Sequence, residues 1–281
     1  MEENVSMAMS DEFLTVERRK TVVRMAWRNF LRGLYETACA LYTSGDMICA
    51  SVAIQGEEYL KRALEKSKGV IALSAHLGNF TMIGPRLAAA GYPINIVVKH
   101  PPDQRLARLI DDYRAKVGIK TISAKPRWQA ARQILGALRR NEVVLLIADG
   151  FKYKYGSVNA EFLGWDVAAR RGPVTLALRT GGALVPMFVT RDAEDRLTLH
   201  ISSEIDLVRT GNLQEDVTAN VTLFTRHLED MVRRYPDQWC RLSTERPPSK
   251  NLGAMRPDFV QPDSTRNRLK NADHEDFSLP S

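Results

Sequence analysis

Cysteine is scarce in this chain: Cys39, Cys49 and Cys240 are the only three among 281 residues, and no two of them are spaced as CxxC. An odd number in that arrangement favours neither a zinc site nor a disulfide framework, and small core residues are the simpler reading. Long apolar runs are missing too. The longest aliphatic stretch, Val143 to Ala148, falls far short of the roughly 18 to 20 residues that cross a bilayer. Met1 to Glu12 holds acids and no Lys or Arg, the opposite of a secretory leader, so a cytoplasmic chain is expected. There is no HExxH, no Walker A and no GxGxxG in its proper context, which leaves metal, nucleoside triphosphate and dinucleotide cofactors without support. What is there is an ordinary globular balance, 44% apolar and 26% charged, with 40 basic against 33 acidic residues and a net charge of +7. That excess favours an anionic partner: a phospholipid surface, an acidic carrier or nucleic acid. Nucleic acid is the weakest of these, because no recognisable binding motif interleaves the basic residues with aromatics.

From Val16 to Tyr42 apolar residues recur at helical spacing through Val23, Trp27, Leu31, Leu34, Ala38 and Leu41, which predicts one long amphipathic helix with a break near Gly33. Arg18, Arg19, Lys20, Arg24, Arg28 and Arg32 crowd its first half, four of them in an i, i+4 stripe. Two readings stand side by side: an interfacial helix on anionic lipid with Trp27 and Phe30 near the headgroups, or a solvated face on a core-packed helix.

Short β-rich runs follow at Val70–Ala75, Ile94–Val98, Val143–Ala148 and Leu184–Val189, with helical stretches at Asp103–Lys116, Trp128–Arg140 and Gly172–Thr180 between them. This alternation predicts an α/β fold with a mostly parallel central sheet flanked by helices. Leu197–Ile201 alternates as an edge strand would, and Gln214–Tyr235 carries a helical apolar stripe. The expected organisation is a flexible start over 1–15, one domain over 16–246 and a disordered tail over 247–281, where Pro, Asn, Asp, Ser and charges dominate.

Sites in such sheets form beyond the carboxyl ends of strands. Three polar clusters occupy those positions: His76-Leu77-Gly78-Asn79-Phe80, Lys99-His100 and Asp149-Gly150. A strand-end His and a strand-end Asp can converge in one cleft, although either can equally be structural.

The string AHLGNF, with Gln55-Gly56-Glu57-Glu58-Tyr59-Leu60 and Lys68-Gly69-Val70-Ile71 before it, resembles the core block of the bacterial late acyltransferases of lipid A biosynthesis, within the lysophospholipid acyltransferase superfamily. Arg114 with Gly118, Asp149-Gly150, Phe162-Leu163-Gly164, Gly172-Pro173, Arg179-Thr180-Gly181 and Val185-Pro186 follow in the family's order. The resemblance implies a fatty acyl group moved from a thioester on acyl carrier protein or coenzyme A to a hydroxyl or amine of a lipid-like or polyketide-like acceptor. It implies His76 as general base and Arg114 as an oxyanion or phosphate contact. It also implies peripheral attachment to the cytoplasmic face of the bacterial inner membrane, here through the basic helix because the family's usual hydrophobic anchor is absent.

One departure bears on the chemistry. The family holds its His with an acid five positions on, and here that position is Thr81. A hydroxyl cannot stabilise an imidazolium as a carboxylate does. Asp149 is the first substitute and Glu161 the second, and an acid supplied at position 81 is expected to restore or raise activity. The competing reading is a relic that kept the fold and binds lipid or an acyl carrier without turnover.

Overall fold

The computed structural model describes residues 16–40, 42–151 and 157–239. The stretches expected to be a flexible start and a disordered tail, together with Leu41 and Cys240, lie outside these residues, as do the side chains of Arg18 and Arg19. The chain runs α1 (Val16–Ala40), α2 (Gly45–Ser51), β1 (Val52–Gln55), α3 (Glu57–Glu65), β2 (Val70–Ser74), α4 (Ile83–Ala89), β3 (Ile94–Val98), α5 (Gln104–Lys116), β4 (Lys120–Ser123), α6 (Arg127–Arg139) and β5 (Val143–Ile147). A hairpin of β6 (Ser157–Phe162) and β7 (Trp165–Arg170) comes next. It is followed by α7 (Gly172–Thr180), β8 (Ala183–Arg191), β9 (Leu197–Ile201) and α8 (Leu213–Arg234).

Seven strands form one sheet in the order β1-β9-β8-β2-β5-β3-β4. All neighbours are parallel except β8 and β9. The central strands are buried along their whole length and mostly apolar because helices cover both faces: Val70–Ser74 and Ala183–Arg191 are buried at every residue, with Ser74, Thr190 and Arg191 the polar positions at their carboxyl ends. One core layer packs α6, α7, α8 and the hairpin through residues such as Ile134, Ala177, Phe224 and Phe162. The other packs α2 to α4 and the last turn of α1, with Tyr113 of α5 and the following Val117 against it. Local chemistry sets several of the helix starts. Asp103 accepts hydrogen bonds from the Arg105 and Leu106 amides, and Asn212 from those of Gln214 and Glu215.

Two expectations are corrected. Leu197–Ile201 is not an edge strand, because the four-residue β1 pairs along its outer side from Val52 to Gln55. The first helix is not broken near Gly33 but runs unbroken from Val16 to Ala40.

The first helix also lies the opposite way round from a core-packed one. Its inward face is small or polar: Ala26 and Ala40 are buried, Asn29 bonds to Asp237, and Glu36 bonds to Arg191. The predicted apolar stripe points outward, with Trp27, Leu31 and Leu34 exposed and Tyr35 beside them 72% exposed.

Candidate active site

Strands β2 and β5 are parallel neighbours in register from Val70–Val143 to Ser74–Ile147, so the residues following them leave the sheet side by side at its carboxyl edge. The Ala148 amide continues the ladder to the Ser74 carbonyl. One residue further on, Asp149 faces His76. The carboxylate is fully buried and takes three hydrogen bonds: Oδ1 pairs with His76 Nδ1 at 2.8 Å, while Oδ2 accepts from the His76 backbone N–H at 3.0 Å and from the Trp239 indole N–H at 3.2 Å. Burial pushes the Asp149 carboxyl up. The hydrogen bond and charge of the His76 ring, with the backbone and indole donors, outweigh that and hold it below the ordinary aspartate value. The His76 side chain is 46% exposed and meets the edge of Phe80 at 4.9 Å between ring centres.

Gly78 is required by this turn. Its φ is +58°, and a Cβ there would stand 1.8 Å from the Val189 carbonyl oxygen. That close approach lets the Gly78 amide donate to Gln238 and the Asn79 amide to Val189, pinning the loop to β8 and to the segment that carries Trp239.

Thr81 is occupied elsewhere: its hydroxyl donates to Asn79 Oδ1 at 2.6 Å and lies 2.6 Å from the Thr37 hydroxyl of α1. Asn79 in turn donates to Glu36, which grips the buried Arg191 guanidinium at 2.5 and 2.6 Å. The polar face of α1 therefore fastens the loop that follows His76.

The other sequence-derived residues do not join the pair. Glu161 lies across from Asp166 on the hairpin's outward face, since alternation turns Val158, Ala160 and Phe162 inward, so it is not the acid on His76. Arg114 sits in the last turn of α5 with its guanidinium on Asp111 at 3.1 Å; the other Asp111 oxygen meets His100 Nε2 at 2.7 Å. That cluster belongs to the β3–α5 unit, and β5 separates β3 from β2. Sequence reasoning did not foresee the part of Trp239, although its position after the last helix was a signal. Nor did it foresee the Glu36–Arg191–Asn79 link, for which local sequence held none.

Residues 3–244 match the family model described as bacterial lipid A biosynthesis acyltransferase. The chain belongs to this family. Among characterised relatives it is similar to the phosphatidylinositol mannoside acyltransferase of Mycolicibacterium smegmatis, 24% identical over 67% of this chain and 60% of that protein. The protein of the same name from Mycobacterium tuberculosis is 29% identical over 47% of this chain and 42% of its own length. The lipid A biosynthesis palmitoleoyltransferase of Escherichia coli is 22% identical over 80% of this chain and 71% of that protein. The match thus spans less than two thirds of the mycobacterial proteins. In this site the carboxylate on His76 comes from the end of β5, and Thr81 supplies none.

Proposed function

We propose that the protein is an acyltransferase that carries a fatty acyl group from a thioester donor, on acyl carrier protein or coenzyme A, to a hydroxyl or amine of a glycolipid-like acceptor. His76 is the general base and Asp149 its orienting anion. The observation that carries this reading is the 2.8 Å contact between Nδ1 and a fully buried carboxylate. With the Nδ1–H hydrogen-bonded to Asp149, Nε2 is the nitrogen that carries the ring's basic lone pair. It takes the proton of the acceptor group as that oxygen or nitrogen attacks the thioester carbonyl. Collapse of the tetrahedral intermediate breaks the carbon–sulfur bond, and the thiolate recovers the proton from Nε2. Such a base contributes about 10²–10⁴ in rate. The relic reading is disfavoured because a lipid-binding remnant has no need of a charged carboxylate buried against a half-exposed imidazole, an arrangement that costs desolvation.

The relatives' names, which join acyl transfer to lipid A and to phosphatidylinositol mannoside, support a glycolipid-like acceptor. Peripheral attachment, on the cytoplasmic face of the inner membrane, is part of the same proposal; α1 supports attachment, since its outward side combines Trp27, Leu31, Leu34 and Tyr35 with Lys20, Arg24 and Arg28. No helix among the described residues is long and apolar enough to cross a membrane.

The test is intact-mass detection of acylated glycolipid after incubation with palmitoyl thioesters of acyl carrier protein and of coenzyme A. Product with wild type and none with His76→Ala is expected. No transfer from either donor, or undiminished transfer by His76→Ala, refutes the reading. Attachment is checked separately with anionic liposomes: binding should weaken with salt and with Arg24→Glu plus Arg28→Glu, and equal binding to neutral vesicles removes the role.

A further inference from the structure

Helix α6 holds Arg127, Arg132 and Arg139 and, over its whole length, no acid. Trp128, Arg132 and Arg139, at spacings of four and seven, share one outward stripe about 16 Å long. Trp128 is 69% exposed, the most exposed aromatic among the described residues after Tyr42 and Tyr35 on the α1 side. Lys125, just before the helix, is exposed as well. Among the described residues none of these four cations has an acidic partner.

Beside the stripe, α6 and the outermost strand β4 enclose an open groove of about 550 Å³, lined among others by Lys120, Thr121, Trp128, Arg132, Gln133 and Arg140. Lys120 and Arg140 are already neutralised at its floor by Glu142, whose carboxyl burial pushes up but which Arg140, Lys120 and Asn95 hold down at about 2. The unpaired charge therefore lies on the rim and along the helix rather than converging on one point. A small anion calls for convergent donors, whereas an extended basic stripe with one aromatic fits a macromolecular face of opposite charge.

Two placements select the partner. Most of the exposed large apolar residues lie on or beside α1, and on α5 at Leu106 and Leu109, with Met47, Val208 and Leu213 elsewhere, whereas α6 packs in the other core layer and exposes Trp128 alone. Helix α6 also begins just beyond the carboxyl end of β4, at the edge of the sheet where β2 and β5 carry His76 and Asp149, so Lys125 and Trp128 lie on the catalytic side, and it runs back from there toward the amino edge, where Arg139 and the Glu142 floor of the groove lie. Three strand spacings separate β4 from β2, roughly 14 Å. We propose that the outer stripe of α6 and its groove with β4 form the docking surface for an acidic carrier protein that presents the acyl thioester on a flexible arm. The inference rests on the acyl-transfer reading and selects the carrier-bound donor within it.

The test compares wild type with the double variant Arg132→Glu and Arg139→Glu, using palmitoyl acyl carrier protein and carrier-free palmitoyl-pantetheine as donors. The KM for the carrier-bound donor should rise at least tenfold with kcat unchanged, and transfer from palmitoyl-pantetheine should not move. Wild-type KM for the carrier should also climb with salt. An equal loss with both donors, or no change with either, overturns the surface. If wild type transfers from no donor at all, the acyl-transfer reading fails, and the surface is judged by titration with acyl carrier protein: absent binding, or equal binding by the variant, overturns it. Loss of anionic-vesicle binding with carrier binding intact overturns it in favour of a membrane contact.

Discussion

Replacing Asp149 by Asn changes almost nothing in shape and reverses what His76 can do. Two of the three groups facing the carboxylate, the His76 amide and the Trp239 indole, can only donate, and both meet Oδ2. The single oxygen of an Asn must therefore turn to them, which presents its amino group to His76 Nδ1. An amino group there needs a bare Nδ1, so the ring proton moves to Nε2 and the lone pair that should accept the substrate proton is gone. The expected loss is on the order of 10³–10⁴ in kcat, about 4–5.5 kcal/mol of transition-state stabilisation. All three hydrogen bonds survive, with only the one to Nδ1 reversed in sense, so stability should shift by only about 1 kcal/mol. The check is single-turnover transfer followed by intact mass, with thermal unfolding alongside. Asp149→Asn within tenfold of wild type while still folded would refute the reasoning, and so would a rate loss fully accounted for by unfolding.

The strand ends made the pair legible. A parallel α/β pattern sends successive strands out at one edge, and His76 and Asp149 both follow buried apolar runs, so their meeting needed only the adjacency of β2 and β5. Glu161 was misread because nearness in sequence to Phe162-Leu163-Gly164 said nothing of the face: in a hairpin, the residue beside an inward Phe points out. Leu197–Ile201 alternates as any half-buried strand does, and the strand that covers its outer side, Val52–Gln55, is too short to announce itself. The helical period of α1 was readable, yet the period cannot tell which face is covered. That depended on Glu36 meeting Arg191, 155 residues away. Trp239 reaches Asp149 across 90 residues for the same reason: a contact made only by the closed fold leaves no local pattern.

Three further outcomes follow from the same geometry. Gly78→Ala should yield little folded protein, since its Cβ would overlap the Val189 carbonyl, and a normal melting curve would show that the turn can be made another way. Glu36→Gln should cost on the order of 2–3 kcal/mol in denaturant unfolding, because the guanidinium of Arg191, 8% exposed, keeps only the Asp195 carbonyl besides a neutral amide; an unchanged midpoint would show that water serves it instead. Thr81→Glu should not raise kcat, contrary to the expectation from the family pattern alone. Nδ1 of His76 is already taken by Asp149, and the new carboxylate would enter a cluster in which Thr81 touches Asn79 and Thr37, and Asn79 touches Glu36. Arg191 is committed to Glu36, so a second anion there gains no partner and adds repulsion of about 1 kcal/mol, or a few degrees in Tm. A several-fold gain in kcat would mean that the acid of the common family motif and the Asp149 carboxylate can serve the same imidazole.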